Sequence, residues 1–129
     1  LVVDDSEVAA RFLRRRLESW GLQVECAAAS RQALELLESR TYDLIFVDVE
    51  LGPHSELDGL ALCQRVKQSA AAVGASVIMV SAHQSELDRA RGALAGCDAY
   101  LGKPLTEAEL APLLLRRGLA RAPAHVNAG

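Results

Sequence analysis

The chain has no surplus of basic charge, no paired cysteines and no apolar stretch long enough to span a bilayer, and each lack excludes something. A formal net charge of -3 and a pI near 5.6 leave little to neutralise a phosphate backbone, which argues against nucleic-acid binding by this segment. The cysteines, Cys26, Cys63 and Cys97, are odd in number and lack CxxC spacing, so they read as small core residues in a reducing compartment. His54, His83 and His125 have no second histidine or cysteine at ligand spacing, and read as loop residues rather than a transition-metal site. Without a membrane-length run or a signal-like segment, the expected location is cytoplasmic, with no membrane partner. What is present is a chain of 129 residues, 50% of them hydrophobic, which suits one domain with a sizeable core. It opens inside an apolar run at Leu1 without a methionine, so the first strand reads as clipped and the native protein is expected to be longer at either end.

The organising stretch is Asp43-Leu44-Ile45-Phe46-Val47-Asp48, a continuous apolar run that ends in a carboxylate. Such a run reads as a strand buried on both faces and implies a parallel sheet. A carboxylate at the carboxyl end of a central parallel strand lies where open α/β sheets place their ligand sites. Taken alone, Asp48 would merely end a strand or cap a helix; the other strand ends decide between the readings.

Leu1-Val2-Val3 is a short strand ending in Asp4-Asp5, with Ser6 placed as an N-cap. Val8, Phe12, Leu13, Leu17 and Trp20 follow the helical period from Glu7 to Trp20, and Gly21 terminates that helix. The stripe assigns Phe12 and Trp20 to the core, and leaves Arg11, Arg14, Arg15 and Arg16 as a solvated face. Leu22, Val24 and Cys26 alternate with polar residues as an edge strand would, and Ser30 is placed to cap a helix that carries Ala33, Leu34 and Leu37 inward up to about Ser39.

After Asp48 comes a polar loop with a Gly52-Pro53 turn signal, and then Asp58 as the cap of a helix from Gly59 to about Ser69. Leu60, Cys63 and Val66 face inward, and the helix frays through Ala70 to Ala72 until Gly74. Val77-Ile78-Met79-Val80 is a fully apolar strand ending in Ser81; Leu87, Ala90, Arg91 and Leu94 form a thin helical stripe that stops at Gly96. Ala99-Tyr100-Leu101 is the last strand, and Lys103, held extended by Pro104, follows it. Thr106 and Glu109 have capping-box spacing, Leu105 and Leu110 staple spacing, and Pro112 predicts a kink or restart near Ala111. Residues 118–129 have no periodicity and read as a disordered tail or linker stub beyond a single domain over residues 1–117.

Five strand-helix units in alternation predict a doubly wound five-stranded parallel α/β sheet with helices on both faces, and a reversal of strand order near the first and third strands, the flavodoxin-like order 2-1-3-4-5, is the expectation that brings the edge residues into one crevice. All strand carboxyl ends then share one edge, which carries Asp4, Asp5, Asp48, Ser81 and Lys103. Clustered carboxylates repel, so some are protonated or a cation sits among them; all-oxygen ligands with room for water suit Mg2+. A lysine and a hydroxyl nearby complete what phosphoryl transfer to a carboxylate needs.

The set Leu1-Val2-Val3-Asp4-Asp5-Ser6, Val47-Asp48, Asp58-Gly59, Val80-Ser81-Ala82 and Lys103-Pro104 resembles the receiver domain of two-component response regulators, from residue 1 to about residue 117. The resemblance implies that Asp48 is the phosphoacceptor, served by a sensor histidine kinase or a histidine phosphotransfer protein. It implies Mg2+ held by Asp4, Asp5, Asp48 and the backbone carbonyl of Glu50, and phosphoryl oxygens bound by Ser81 and Lys103. It also implies a switch in which Ser81 shifts and Tyr100 turns inward, changing a surface read by an output domain or a downstream protein. The Lys103-Pro104 bond is commonly cis in that family. The stretch Gly52 to Glu56 departs from the family pattern as a small insertion and leaves the loop's conformation open.

Glu50 and His83, each two positions after a site residue, are expected to pair and tune the phosphoryl lifetime. Two rivals stay open: an aspartate-nucleophile phosphohydrolase, for which Glu50 is a partial match to the usual second acid, and a pseudo-receiver that binds partners without phosphorylation.

Overall fold

A computed structural model describes residues 1–70 and 73–117. Five strands form one parallel sheet in the order β2-β1-β3-β4-β5: β1 (Val2–Val3), β2 (Cys26–Ala27), β3 (Leu44–Asp48), β4 (Ser76–Ser81) and β5 (Ala99–Gly102). Each crossover contains a helix: α1 (Glu7–Ser19), α2 (Ser30–Ser39), α3 (Gly59–Lys67) and α4 (Glu86–Ala95), with α5 (Glu107–Arg117) after the last strand. The expected fold class and strand order are both present.

The pleat of the strands divides the core. Val3, Ile45, Val47, Val77 and Met79 point to one face and meet Ala33 and Leu37 of α2 and Leu62, Cys63 and Val66 of α3. Val2, Leu44, Phe46, Ile78 and Val80 point to the other and meet Leu13 and Leu17 of α1 and Leu110 and Leu114 of α5. Every residue of β3 and β4 is buried, so the apolar runs are continuous because both faces are covered.

Several local expectations are corrected. β2 covers only Cys26–Ala27, because its partner β1 offers two residues to pair with; Leu22 and Val24 still pack on the α1 side of the sheet. Ser30 is the first residue of α2 rather than its cap, and Ala29 holds the cap position with no side-chain bond. The buried Ser30 instead clasps the loop that follows Asp48. Its Oγ accepts from Leu57 N at 3.1 Å, while Ser55 Oγ accepts from Ser30 N at 2.9 Å and donates to Leu57 O at 2.6 Å. That exchange sets the conformation of the loop that the sequence leaves open.

Asp58 caps α3 as expected, accepting from Ala61 N at 2.7 Å, but Leu62 rather than Leu60 is the fully buried leucine, and the helix ends at Lys67. α4 keeps a thin inner face: Gly92 is its sole fully buried residue, and Leu87 and Leu94 of the expected stripe are 59% and 86% exposed. It begins at a capping box between Ser85 and Asp88 and stops at Gly96, whose φ of 96° is left-handed.

α5 runs through Pro112 without a restart, anchored on either side of it by buried Leu110 and Leu114. Thr106 Oγ1 accepts from Glu109 N at 3.2 Å, whereas the Glu109 carboxylate reaches past the helix start to Gly102 N at 3.2 Å. Trp20 is buried and donates its ring N–H to Glu107 Oε2 at 3.1 Å. Phe12, expected in the core, is 41% exposed beneath the Arg16 guanidinium, and Val8 is exposed beside it. Helical periodicity does not distinguish an apolar residue facing the sheet from one on the flank of the same stripe.

Cys63 is buried, Cys26 and Cys97 are half-buried, and all three are free thiols. Among the described residues, no helix is long and apolar enough to cross a membrane. The expected tail and His125 lie outside the described residues, as do Ala71 and Ala72 of the expected fraying segment.

Candidate functional site

Parallel register brings the polar strand ends together. Val3 is paired with Val47, so the next residues, Asp4 and Asp48, lie side by side at the carboxyl edge. Asp48 is paired with Val80 and Ser81 with Gly102, which puts the Ser81 hydroxyl one step beyond Asp48 and Lys103 one step beyond Ser81. The turn between β1 and β3 in sheet order is where the crossovers diverge to opposite faces, and a crevice opens there.

Asp4 and Asp48 are buried while Asp5 is exposed, and a carboxylate oxygen from each lies within 4.8 Å of the other two. Lys103 Nζ bridges the buried pair, 2.8 Å from Asp4 Oδ2 and 2.9 Å from Asp48 Oδ2. The remaining oxygens are held by backbone: Asp4 Oδ1 accepts from Ser6 N at 2.8 Å and Asp48 Oδ1 from Glu50 N at 3.0 Å. Ser6 also caps α1 through Ala9 N, so the helix start and the carboxylate are positioned by one residue.

Burial raises the pKa of both Asp4 and Asp48, outweighing the lysine's pull in the other direction. For Lys103 burial acts downward, but its bonds to Asp4 and Asp48 raise the pKa on balance and keep it charged. The crevice therefore holds more negative charge than one lysine offsets. Its donor set is oxygen only, with one ligand exposed to water, and this fits a hard divalent ion such as Mg2+.

A second group adjoins the first. Ser81 is fully buried; its hydroxyl donates to Glu50 Oε1 at 2.7 Å and accepts from His83 N at 2.9 Å. His83 Nε2 stands 3.8 Å from the same Glu50 oxygen, at the exposed rim. Tyr100 is half-buried against the α3 side of the core and donates its hydroxyl to His83 O at 2.7 Å; the Arg89 guanidinium lies 5.6 Å from its ring centroid. The Lys103-Pro104 peptide is cis.

The structure thus unites Asp4, Asp5, Asp48 and Lys103, joins Ser81 to Glu50 and His83, and links Tyr100 to them through His83. Sequence reasoning missed the bond from Glu50 to Ser81, the stacking of Arg89 on Tyr100, and two glycines. A Cβ at Gly59 would run into the Asp48 carbonyl and the Val49 backbone, and one at Gly52 into the Asp5 carboxylate. The glycine after the Asp58 cap is a readable signal; that it abuts Asp48 is not. Beside the carboxylates, Val8, Phe12, Leu13, Pro104 and Leu105 line an open apolar hollow of about 460 Å³ between α1 and the end of β5.

This fold and site define a phosphorelay signalling module, and residues 1–114 match the response regulator receiver domain model. The chain belongs to the response regulator receiver domain family. It is 38% identical over 103 residues to the gliding motility regulatory protein of Myxococcus xanthus, covering 80% of this chain and 13% of that protein. It is 33% identical over 126 residues to PhoP of Bacillus subtilis, the alkaline phosphatase synthesis transcriptional regulatory protein, covering 95% of this chain and 50% of PhoP. Among solved structures, a response regulator protein from Burkholderia pseudomallei with a phosphorylated aspartic acid, a calcium ion and citrate superposes with a TM-score of 0.72 at 28% identity, covering 98% of this chain and 69% of that one. The chain therefore spans half or less of the length of these two curated relatives.

Proposed function

We propose that Asp48 accepts a phosphoryl group from the phosphohistidine of a sensor histidine kinase or a histidine phosphotransfer protein, and that the acyl phosphate switches an output surface. The observation that carries this reading is Lys103 bridging two buried carboxylates at the crevice edge, one step from the Ser81 hydroxyl. A carboxylate oxygen of Asp48 forms a bond to phosphorus as the donor's N–P bond breaks, and the imidazole leaves with the electron pair and takes up a proton. Lys103 and Ser81 bind the phosphoryl oxygens. Asp4, Asp5, Asp48 and the Glu50 backbone carbonyl would hold Mg2+, which when bound would supply charge that offsets the incoming anion. The apolar hollow with Val8 and Phe12 borders the path of a donor protein to Asp48. The domain extends over residues 1–117, acts in the cytoplasm, and signals rather than turning over a substrate. The phosphorylated aspartic acid of the Burkholderia pseudomallei protein, in a structure that also holds a calcium ion, supports the same chemistry.

Incubated with acetyl phosphate and Mg2+, the protein gains one phosphate per chain by intact mass, and none with a chelator present. Sustained turnover of the donor or of a phosphomonoester would favour a phosphohydrolase instead. The switch predicts that amide exchange over residues 82–101 changes on adding a phosphoryl mimic, because Ser81 Oγ is bonded to His83 N and the Tyr100 hydroxyl to His83 O; an unchanged segment would remove this mechanism.

A further expectation concerns lifetime. His83 pairs with Glu50 over the crevice mouth in the phosphorylated form and impedes hydrolytic water. The pair is exposed and worth at most about 1 kcal/mol. His83→Ala accordingly shortens the phospho-Asp48 lifetime by up to about fivefold in a dephosphorylation time course, and an unaltered decay rate would rule the lid out.

A further inference from the structure

We propose that the Glu50 side chain is a positioning residue that holds the Ser81 hydroxyl out of the phosphoryl site until a phosphoryl group on Asp48 displaces it. The proposal rests on Asp48 being the phosphoacceptor. A serine hydroxyl has a single proton, and that of Ser81 is donated to Glu50 Oε1 at 2.7 Å. Ser81 is wholly shielded from solvent, and its oxygen also accepts from His83 N at 2.9 Å. To donate to a phosphoryl oxygen, Ser81 must give up Glu50. Hydrogen bonds to charged groups are worth roughly 10-fold to 100-fold in an equilibrium, so this competition weighs on the switch.

Glu50 spans the two strand ends that the switch must coordinate. Its backbone N–H donates to Asp48 Oδ1 at 3.0 Å, at the end of β3, while its carboxylate holds Ser81 at the end of β4. A phosphoryl dianion on Asp48 would act on it in two ways. It offers Ser81 a more highly charged acceptor, and it repels the neighbouring carboxylate. Glu50 has somewhere to go: its side chain is 44% exposed and already lies 3.8 Å from His83 Nε2 at the rim.

The same bonds carry the event onward. Ser81 Oγ is bound by His83 N, and His83 O by the Tyr100 hydroxyl, so movement of Ser81 disturbs the residue to which Tyr100 is bonded. Glu50 thus sets the threshold for switching through Ser81 without itself contacting the transferred group.

The test measures beryllofluoride affinity at saturating Mg2+ for the wild type, Glu50→Ala, Glu50→Gln, Ser81→Ala and the Glu50→Ala/Ser81→Ala double variant. Glu50→Ala is expected to bind about 5-fold to 30-fold more tightly than the wild type, because Ser81 starts free. Glu50→Gln, which keeps an acceptor oxygen but no charge, falls between them. Ser81→Ala binds more weakly, and in that background Glu50→Ala brings no gain. An equal gain with and without Ser81 would mean simple removal of a repelling charge and would overturn the proposal, as would no gain in the single variant. If the wild type itself binds no beryllofluoride, the phosphoacceptor reading fails and the proposal with it.

Discussion

Asp48→Asn is expected to take up no phosphate from acetyl phosphate and Mg2+ under conditions that label every wild-type chain once. An amide oxygen is a poor nucleophile and would leave a cationic acyl group, so the loss is complete rather than partial. Equal labelling of the variant would overturn the assignment of Asp48. The same variant has a second signature. Burial raises the folded-state pKa of Asp48 above its ordinary value of 3.8, so between those two values the folded chain binds more protons than the unfolded one. Stability contributed by this group therefore falls as pH rises through that window, and at neutral pH without Mg2+ the carboxylate is a burden. Asn carries no such charge, so Asp48→Asn melts above the wild type at neutral pH in chelator, with the gap closing toward acid pH. Melting curves with no gap at neutral pH would show that Lys103 fully compensates the charge.

The second large effect is on Lys103, where two measurements move in opposite directions. Lys103→Met keeps the stem but removes the ammonium that bridges Asp4 and Asp48. In the proposed phosphoryl transfer that ammonium would face the developing negative charge, and the loss of one such donor is expected to lower the rate by about 100-fold or more. In the resting protein it competes with a divalent ion for the same two carboxylates. Removing it leaves them uncompensated, so Mg2+ binds more tightly, as titration of the protein with the metal would show. A phosphorylation rate within a few-fold of the wild type would dismiss Lys103 as a phosphoryl ligand. A weakened Mg2+ affinity would show that the lysine organises the carboxylates rather than competing for them.

The fold was legible because a parallel sheet covered on both faces demands continuous apolar strands, and Leu44 to Val47 and Val77 to Val80 are such runs. The residues at the edge, Asp4, Asp5, Asp48, Ser81 and Lys103, were legible for a related reason: each ends a strand or follows one within two residues, and parallel strands end together. Less legible were positions where one side chain has two possible partners. Ser30 has the sequence signature of a cap, yet it turns inward to Ser55 and Leu57, a choice set by a loop far along the chain. Phe12 sits on an apolar stripe that is wider than the sheet beneath it, and is left half in water. Pro112 warned of a break that the packing of Leu110 and Leu114 overrides.

From its sequence this chain declares a five-unit α/β sheet and which residue types stand at its carboxyl edge, because periodicity and strand-end position are local properties. Tertiary structure alone decided how those residues divide their bonds: Lys103 between Asp4 and Asp48, Glu50 on Ser81, and Tyr100 on His83. A hydrogen bond depends on separations of about 3 Å between atoms on different strands, and these follow from register and packing rather than from order along the chain.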